Sequence, residues 1–226
     1  MKSMMLAGLL LMAAGNAYAA DAPSLQKVIN DAQANGAMVS TITPVFSQLI
    51  KFPFPAGFHA ITDKANGGFY ILELVPQQES GNAWTQMVTL TGAQGLAAKP
   101  NLTPRLFAEG SGMLFQKACP ESFSFKDLGP VKTDGAEPHD GFAVVSSCGS
   151  VKQAGGAHSE TALIIAIKGN ADFYTIQWAE RGPDAPQKVD LNDPKWMGRL
   201  SKLRPLVVCP IVPGEKPPFP SCANQK

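Results

Sequence analysis

The sequence predicts an α+β domain whose mostly antiparallel sheet is covered by helices, and two observations carry this prediction. Tight-turn signals at Asn66-Gly67 and Gly169-Asn170 each lie between two strand-like segments, which is the pattern of a β-hairpin. Helical spacing follows each hairpin-rich block, beginning at Thr103-Pro104 and at Asp193-Pro194. No flexible linker separates the blocks, so they form a single domain. The alternative architecture is a β-sandwich or barrel with peripheral helices.

The first block begins with a helix and continues into strands. Apolar residues recur at helical spacing from Ser24 to Asn35, with Ser24 as the N-cap and Gly36 after the end. The apolar segment Val45–Phe52 is rich in β-forming residues, but Thr43-Pro44 could also begin a short helix, so its type stays open. Three strands are then predicted, at residues 58–64, 68–75 and 84–91.

The second block is introduced by a helix that begins at Thr103-Pro104, a cap followed by proline. Gly110 and Gly112 inside this helix each cost about 1 kcal/mol relative to alanine, so they mark either close packing on the sheet or a break. Four strands and a last helix follow, at residues 123–131, 141–147, 160–168, 172–180 and 193–204. The almost continuously apolar run Thr161–Ile167 predicts a strand in the interior of the sheet.

This order of elements, over residues 45–204, resembles the PsbP-like group of α/β/α sandwiches. The resemblance lies in the order of the elements, and no residue motif carries it, so no functional residue is transferred. Members of that group are mostly non-catalytic binding or accessory proteins. The resemblance therefore implies a binding or accessory role.

The N-terminus has the pattern of a bacterial secretory signal. A basic start at Lys2 precedes the apolar run Met4–Ala14, and small residues Ala17 and Ala19 occupy the −3 and −1 positions. The apolar run has 11 residues, whereas a membrane-spanning helix needs about 20. Cleavage is therefore expected between Ala19 and Ala20, with release into the periplasm or the medium. We divide the chain into a signal peptide (1–19), a single domain (20–205) and a proline-rich C-terminal tail (206–226).

Cysteine usage agrees with export. The chain has 4 cysteines, Cys119, Cys148, Cys209 and Cys222, and none forms a C-x-x-C pair. An even number without close spacing argues for structural disulfides rather than a zinc or redox site. Of the three connectivities we favour Cys119–Cys148 and Cys209–Cys222, which close the shorter loops; each bridge would contribute about 3 kcal/mol on the chain-entropy model. The second bridge would tie down the proline-rich tail, whose alternative role is a polyproline recognition segment.

Composition excludes two classes of partner. The mature chain has 18 basic and 18 acidic residues once Lys2 leaves with the signal, and a nucleic-acid-binding protein normally carries a basic surface. After the signal, the longest apolar run, Ala162–Ile167, is the length of a strand. We therefore expect no nucleic acid partner and no membrane span.

No motif for metal or cofactor binding stands out, and none is predicted. The histidines are His59, His139 and His158, and none has metal-ligand spacing. The best candidate pairs His139 with His158. These two would lie at opposite ends of a hairpin, about 25 Å apart at 3.3 Å per residue.

Catalytic signatures are also missing, so no catalytic residue is predicted. Ser111 lies between two glycines but lacks the nucleophile-elbow frame and falls within a predicted helix. Cys148 would need a free thiolate, whereas a disulfide is expected there.

Two tryptophans are the remaining binding candidates. Trp84 and Trp178 would suit sugar or peptide binding if exposed, although core positions are the expected reading. We expect a periplasmic or secreted, non-catalytic binding or accessory protein whose partner is an envelope protein or peptide. The alternatives are an envelope-directed hydrolase with a dispersed active site and a secreted inhibitor or virulence factor.

The export hypothesis predicts the mass of the purified oxidised protein. The N-terminal residue should be Ala20, and the mass should be lower by four hydrogens than that of the fully reduced chain, because 4 cysteines form two bridges. Intact-mass spectrometry before and after reduction measures both values. Four free thiols would overturn the assignment to an oxidising compartment.

Overall fold

The structure is a computed structural model that describes residues 24–153 and 156–225. The predicted signal peptide and its cleavage positions, Ala19 and Ala20, lie outside the described residues. The described chain forms an α+β domain, as predicted, in which a large antiparallel sheet carries helices on its faces.

Four α-helices, one short 3-10 helix (Leu96–Ala98) and ten strands are present in residues 24–153 and 156–225. The helices are α1 (Leu25–Ala34), α2 (Pro104–Ala118), α3 (Lys195–Lys202) and α4 (Pro220–Ala223). The strands of the large sheet are β3 (Phe58–Asn66), β4 (Phe69–Pro76), β5 (Gln86–Ala93), β6 (Phe123–Lys132), β7 (Asp140–Gln153), β8 (Gly156–Lys168) and β9 (Phe173–Pro183). A small sheet contains β1 (Ser40–Val45), β2 (Gln48–Pro53) and β10 (Val207–Pro210).

The seven-stranded sheet is open and has the order β3-β4-β5-β9-β8-β7-β6. The first block supplies β3 to β5 and the second supplies β6 to β9, and the two blocks meet where β5 pairs antiparallel with β9. Strand β8 lies inside the sheet, and its apolar run is buried on both faces, which confirms the prediction for Thr161–Ile167. The two strands at the edges are β3 and β6.

The first hairpin turn lies one residue later than the sequence suggested. Asn66 pairs with Phe69, so the two turn residues are Gly67 and Gly68, with φ of 56° and 80°. A two-residue hairpin turn of this type needs positive φ at both central positions, and two glycines meet this requirement without steric cost.

Each face of the large sheet has its own cover. Helix α2 packs on β6, β7 and β8, and Gly112 allows its close approach to Phe125 and Ser146. On the opposite face the small sheet and α3 close the main core over β3, β4, β5, β9, β8 and β7. The core residues there include Phe52, Leu90 and Trp196.

The small sheet was not predicted from sequence. The ambiguous segment Val45–Phe52 contains the turn and second strand of a hairpin, and Val207–Pro210 from the C-terminal region pairs with the other edge of β2. A pairing between segments about 160 residues apart leaves no local periodicity in the sequence.

Both predicted disulfides are present. Cys119–Cys148 joins the end of α2 to β7, and Cys209–Cys222 joins β10 to α4. The second bridge holds the C-terminal loop on the outer face of the small sheet, where Leu49 and Val207 complete a separate apolar cluster.

A buried carboxylate joins the two sheets. Asp172, in the turn between β8 and β9, is 2% exposed and accepts hydrogen bonds from the Ser47 N–H (3.1 Å), the Ser47 hydroxyl and the Gly95 N–H (2.7 Å). Burial alone would raise the pKa of Asp172, but the hydrogen bonds from Ser47 and Gly95 outweigh it and hold the pKa below its ordinary value. The charged form is therefore the one that the fold stabilises.

Substitution of the two glycines of α2 by alanine should change the free energy of unfolding in opposite directions. A Cβ on Gly110 meets nothing within 4 Å, so Gly110→Ala should raise the free energy of unfolding by about 0.5–1 kcal/mol through helix propensity. A Cβ on Gly112 would lie 2.7 Å from the Phe125 ring, so Gly112→Ala should lower it by about 1 kcal/mol after the propensity gain. Urea unfolding measures both, and equal shifts would contradict close packing at Gly112.

Replacement of Asp172 by asparagine should destabilise the contact between the small and the large sheet. One carboxylate oxygen becomes an NH₂ donor that faces N–H and O–H donors, and we expect a loss of about 2–3 kcal/mol in urea unfolding near pH 7. Asp184→Asn, at an exposed position, is the matched control.

The effect of Asp172→Asn should also depend on pH. The native pKa lies below the unfolded one, so the stabilisation by Asp172 is fully present above about pH 3.9 and is lost as the pH falls through the native pKa. The difference in the free energy of unfolding between wild type and Asp172→Asn should therefore decrease towards zero in acid. A difference that is small at pH 7, or that does not change as the pH is lowered, would contradict this role of Asp172.

Candidate functional site

A cleft of about 390 Å³ opens between α3 and the end of the large sheet. Three aromatic side chains line it: Phe54 from the β2–β3 loop, Phe58 from β3 and Trp178 from β9. Two cations of α3, Arg199 and Lys202, form the opposite wall. We name this feature, with the neighbouring Pro53, Pro55 and Gln86, the α3 cleft.

Trp178 forms a rigid wall of the α3 cleft. The residue is 4% exposed, because on β9 its side chain points toward the main core. The indole N–H donates to the Gln86 side-chain oxygen at 3.1 Å, and Phe58 packs edge-on against the ring with centroids 5.8 Å apart. A buried tryptophan whose N–H is satisfied has a fixed ring plane.

The cations of α3 lie over this ring. The Arg199 guanidinium carbon is 4.7 Å from the ring centroid of Trp178, and Lys202 Nζ is 6.0 Å from it. Glu180 accepts from Arg199 Nε at 2.7 Å and from Lys195 Nζ at 3.1 Å, which fixes the guanidinium in place. Arg199 and Lys195 therefore share one carboxylate, and Lys202 adds a third positive charge beside them, so the local charge is positive.

A second cavity adjoins the α3 cleft across Phe54, whose side chain lines both. This cavity measures about 660 Å³ and lies beneath α1, with Ile29 and His59 in its wall. Helix α1 is attached through polar contacts to backbone, including the Gln26 amide donating to the Phe58 carbonyl at 3.0 Å. Leu25, also in the wall, is largely exposed, so an apolar surface continues from the α3 cleft to α1.

Both tryptophans singled out by sequence are core residues, which was the expected reading. Trp84 is buried under the Arg181 guanidinium, 3.8 Å from its ring centroid. Trp178 is buried too, yet it borders the α3 cleft. A small exposed part of Trp178 is therefore sufficient for it to line the α3 cleft.

The three histidines do not converge. His139 is next to the start of β7, where Gly141 pairs with Ile167, and His158 pairs with Val151 at the far end of the same pair of strands. His59 lies on β3, at the other edge of the sheet. Within residues 24–153 and 156–225, no group of three or more His, Cys, Asp or Glu could hold a metal ion.

No serine, threonine or cysteine side chain is hydrogen-bonded to a histidine ring within residues 24–153 and 156–225. His139 is bonded through its ring nitrogens to the Gln48 side-chain amide (3.4 Å) and the Lys168 carbonyl (3.2 Å). The Ser111 hydroxyl donates to the Phe107 carbonyl inside α2, at 2.9 Å. Neither arrangement activates a hydroxyl.

The proline-rich tail is folded onto the domain. Pro220 begins α4, the preceding Phe219 packs against the cluster of Leu49 and Cys209, and Glu215 accepts from the Ser221 N–H at 2.7 Å. Docking of this segment in an aromatic groove would first require Phe219 to leave its site. The stapled tail is therefore the better description.

Sequence reasoning missed the α3 cleft, although it had assigned Arg199 and Lys202 to the last helix. Basic side chains near the C-terminal end of a helix stabilise the helix dipole, so nothing in the local sequence sets Arg199 and Lys202 apart. No local signal reveals that they reach a tryptophan about 20 residues earlier in the chain and two phenylalanines at the start of the sheet.

Comparisons with known proteins identify no family. No protein-family model matches the chain, and no curated protein matches it. Similar solved structures include LpqN of Mycobacterium tuberculosis, described as involved in cell envelope biogenesis (12% identity, TM-score 0.39, 80% of this chain and 97% of LpqN). They also include the cyanobacterial PsbP of Synechocystis sp. PCC 6803 (8% identity, TM-score 0.37, 70% of this chain and 88% of that chain). A PsbP is thus among the similar structures, as the order of elements suggested, and the similarity concerns that arrangement alone.

No helix within residues 24–153 and 156–225 combines the length and the apolar character that a membrane crossing requires.

Proposed function

We propose that this chain is an exported, non-catalytic binding protein of the bacterial envelope, and that the α3 cleft binds an acidic peptide segment with apolar side chains. The two disulfides support an oxidising destination. The N-terminal signal pattern points to the same compartment.

The observation that carries the proposal is the pairing of a fixed aromatic wall with a cationic helix. Phe54 is half-buried and lines the cleft together with the largely buried rings of Phe58 and Trp178. A cleft of this volume lies within the usual range for binding sites. Arg199 and Lys202 are placed to receive carboxylates at its rim, because Glu180 neutralises only part of the positive charge of α3.

A peptide is favoured over a sugar by the chemistry of the walls. Sugar recognition requires several hydrogen-bonding side chains around the stacking ring, whereas the face of Trp178 is already covered by Arg199. Within the described lining, apolar side chains and cations dominate, and these suit leucine or phenylalanine beside glutamate.

The test uses two short synthetic peptides, one alternating glutamate with phenylalanine and leucine, the other with lysine in place of glutamate. The full mature protein should bind the acidic peptide more tightly, and added salt should weaken that binding because the contacts are at the surface. Lys202→Glu should weaken binding of the acidic peptide by about fivefold at low salt. It should also reduce the difference in affinity between the acidic and the basic peptide. Fluorescence titration or calorimetry measures the affinities of both peptides.

Lys64→Glu is the matched control. Lys64 is exposed on β3, six residues beyond Phe58 and hence about 20 Å along the strand from the α3 cleft. Equal affinity for both peptides, or equal losses in the two variants, would contradict binding at the α3 cleft.

A further inference from the structure

A second candidate site lies on the opposite side of the small sheet, independent of the α3 cleft. A cavity of about 760 Å³ opens there between β1, β2 and the C-terminal segment. Its walls are mostly apolar and include Met38, Ile42, Pro205 and Pro218. One cation, Lys51, lines it.

Lys51 is an unusual residue for the middle of a sheet. It is on β2, the central strand of the small sheet, opposite Ile42 on one side and Val207 on the other. It is 8% exposed, a burial that lysine rarely reaches without a charged partner.

The ammonium of Lys51 has hydrogen-bond partners but no counter-ion in the described residues. Its Nζ donates to the carbonyls of Ala223 (2.7 Å) and Gln225 (2.6 Å), at the end of α4. None of the ion pairs formed by residues 24–153 and 156–225 includes Lys51. Burial lowers the pKa of Lys51, as expected for a cation without a nearby anion.

An ammonium group has three donors, and two of those on Lys51 are used by carbonyls. We propose that the cavity binds an aliphatic monocarboxylate, whose carboxylate pairs with Lys51 and whose chain lies against Met38, Ile42 and Pro218. The ligand would supply an anion for Lys51, which forms no ion pair within residues 24–153 and 156–225. A charge-assisted hydrogen bond to a largely buried ammonium is a strong one.

The apolar part of the ligand follows from the same walls. A cavity of 760 Å³ holds a medium-length aliphatic chain with room to spare. Met38 is 71% exposed at the edge of the cavity, and a flexible thioether side chain can close over such a chain. Besides Lys51, the polar side chains of the lining are those of Ser40, Asn224 and Gln225, which are few for recognition of a peptide backbone.

Octanoate is the probe, with octan-1-ol and octylamine as the neutral and cationic analogues. Full-length mature protein should bind octanoate about tenfold or more tightly than octan-1-ol, since only the carboxylate pairs with Lys51. Calorimetry gives the affinities, and amide NMR shifts should cluster at residues 38–42, 51 and 218–225. Equal affinity for all three probes, or no binding of octanoate, would overturn the proposal.

Two variants at Met38 keep the test independent of folding. Met38→Glu places a carboxylate at the edge of the cavity and should reduce octanoate binding by about tenfold, whereas the uncharged Met38→Gln should lose much less. Because Met38 is exposed, both variants should unfold in urea like wild type. Equal binding by the two variants would contradict an electrostatic contact.

Lys51→Met tests the ammonium directly, with urea unfolding to establish that the variant is folded. Loss of the preference for octanoate over octan-1-ol is expected, and a preserved preference would overturn the proposal. A variant extended by two glycines after Lys226 serves as a further control. Octanoate binding by the extended variant alone would show that the chain's own terminus occupies the site, which also overturns it.

Discussion

The buried carboxylate of Asp172 is the constraint on which the arrangement of the domain depends. It lies in the turn between β8 and β9, two interior strands of the large sheet. It accepts hydrogen bonds from Ser47, in the hairpin of the small sheet, and from Gly95, after β5. Three loops that are far apart in sequence therefore share one acceptor. Because an unpaired buried charge is costly, each loop must adopt its native geometry for Asp172 to be satisfied.

The position of the α3 cleft follows from the packing of the small sheet on the large one. The small sheet places its strand β2 over the main core, and the chain then leaves through Pro53, Phe54 and Pro55 toward β3. Phe54 consequently faces α3, which packs on the same core through Trp196 and Leu203. The outer face of the small sheet is meanwhile covered by the C-terminal loop, held there by Cys209–Cys222. One sheet of three strands thus separates two cavities of different chemistry, aromatic and cationic on one side, aliphatic with a single ammonium on the other.

Local patterns in the sequence were sufficient for most of the large sheet and its helices. The hairpins, the capped start of α2 at Thr103 and both disulfide pairings follow from turn chemistry, capping and loop length, which act within a few residues or favour near neighbours. The small sheet could not be found this way, because β10 meets β2 across most of the chain. The α3 cleft was missed for the same reason, since Trp178, Phe58 and Arg199 come from three separate elements. The roles of Asp172 and Lys51 depend on burial, which short polar contexts in the sequence do not reveal.

We propose that the α3 cleft, with its aromatic and cationic side chains, binds an acidic partner segment. Amide chemical-shift mapping of the labelled mature protein with the acidic peptide tests it most directly. We expect shifts that concentrate at residues 53–58, at Gln86 and Trp178 and along 195–202, and that saturate with peptide concentration. Shifts that are absent there, or that appear instead on the outer face of α2 or around β6, would contradict it.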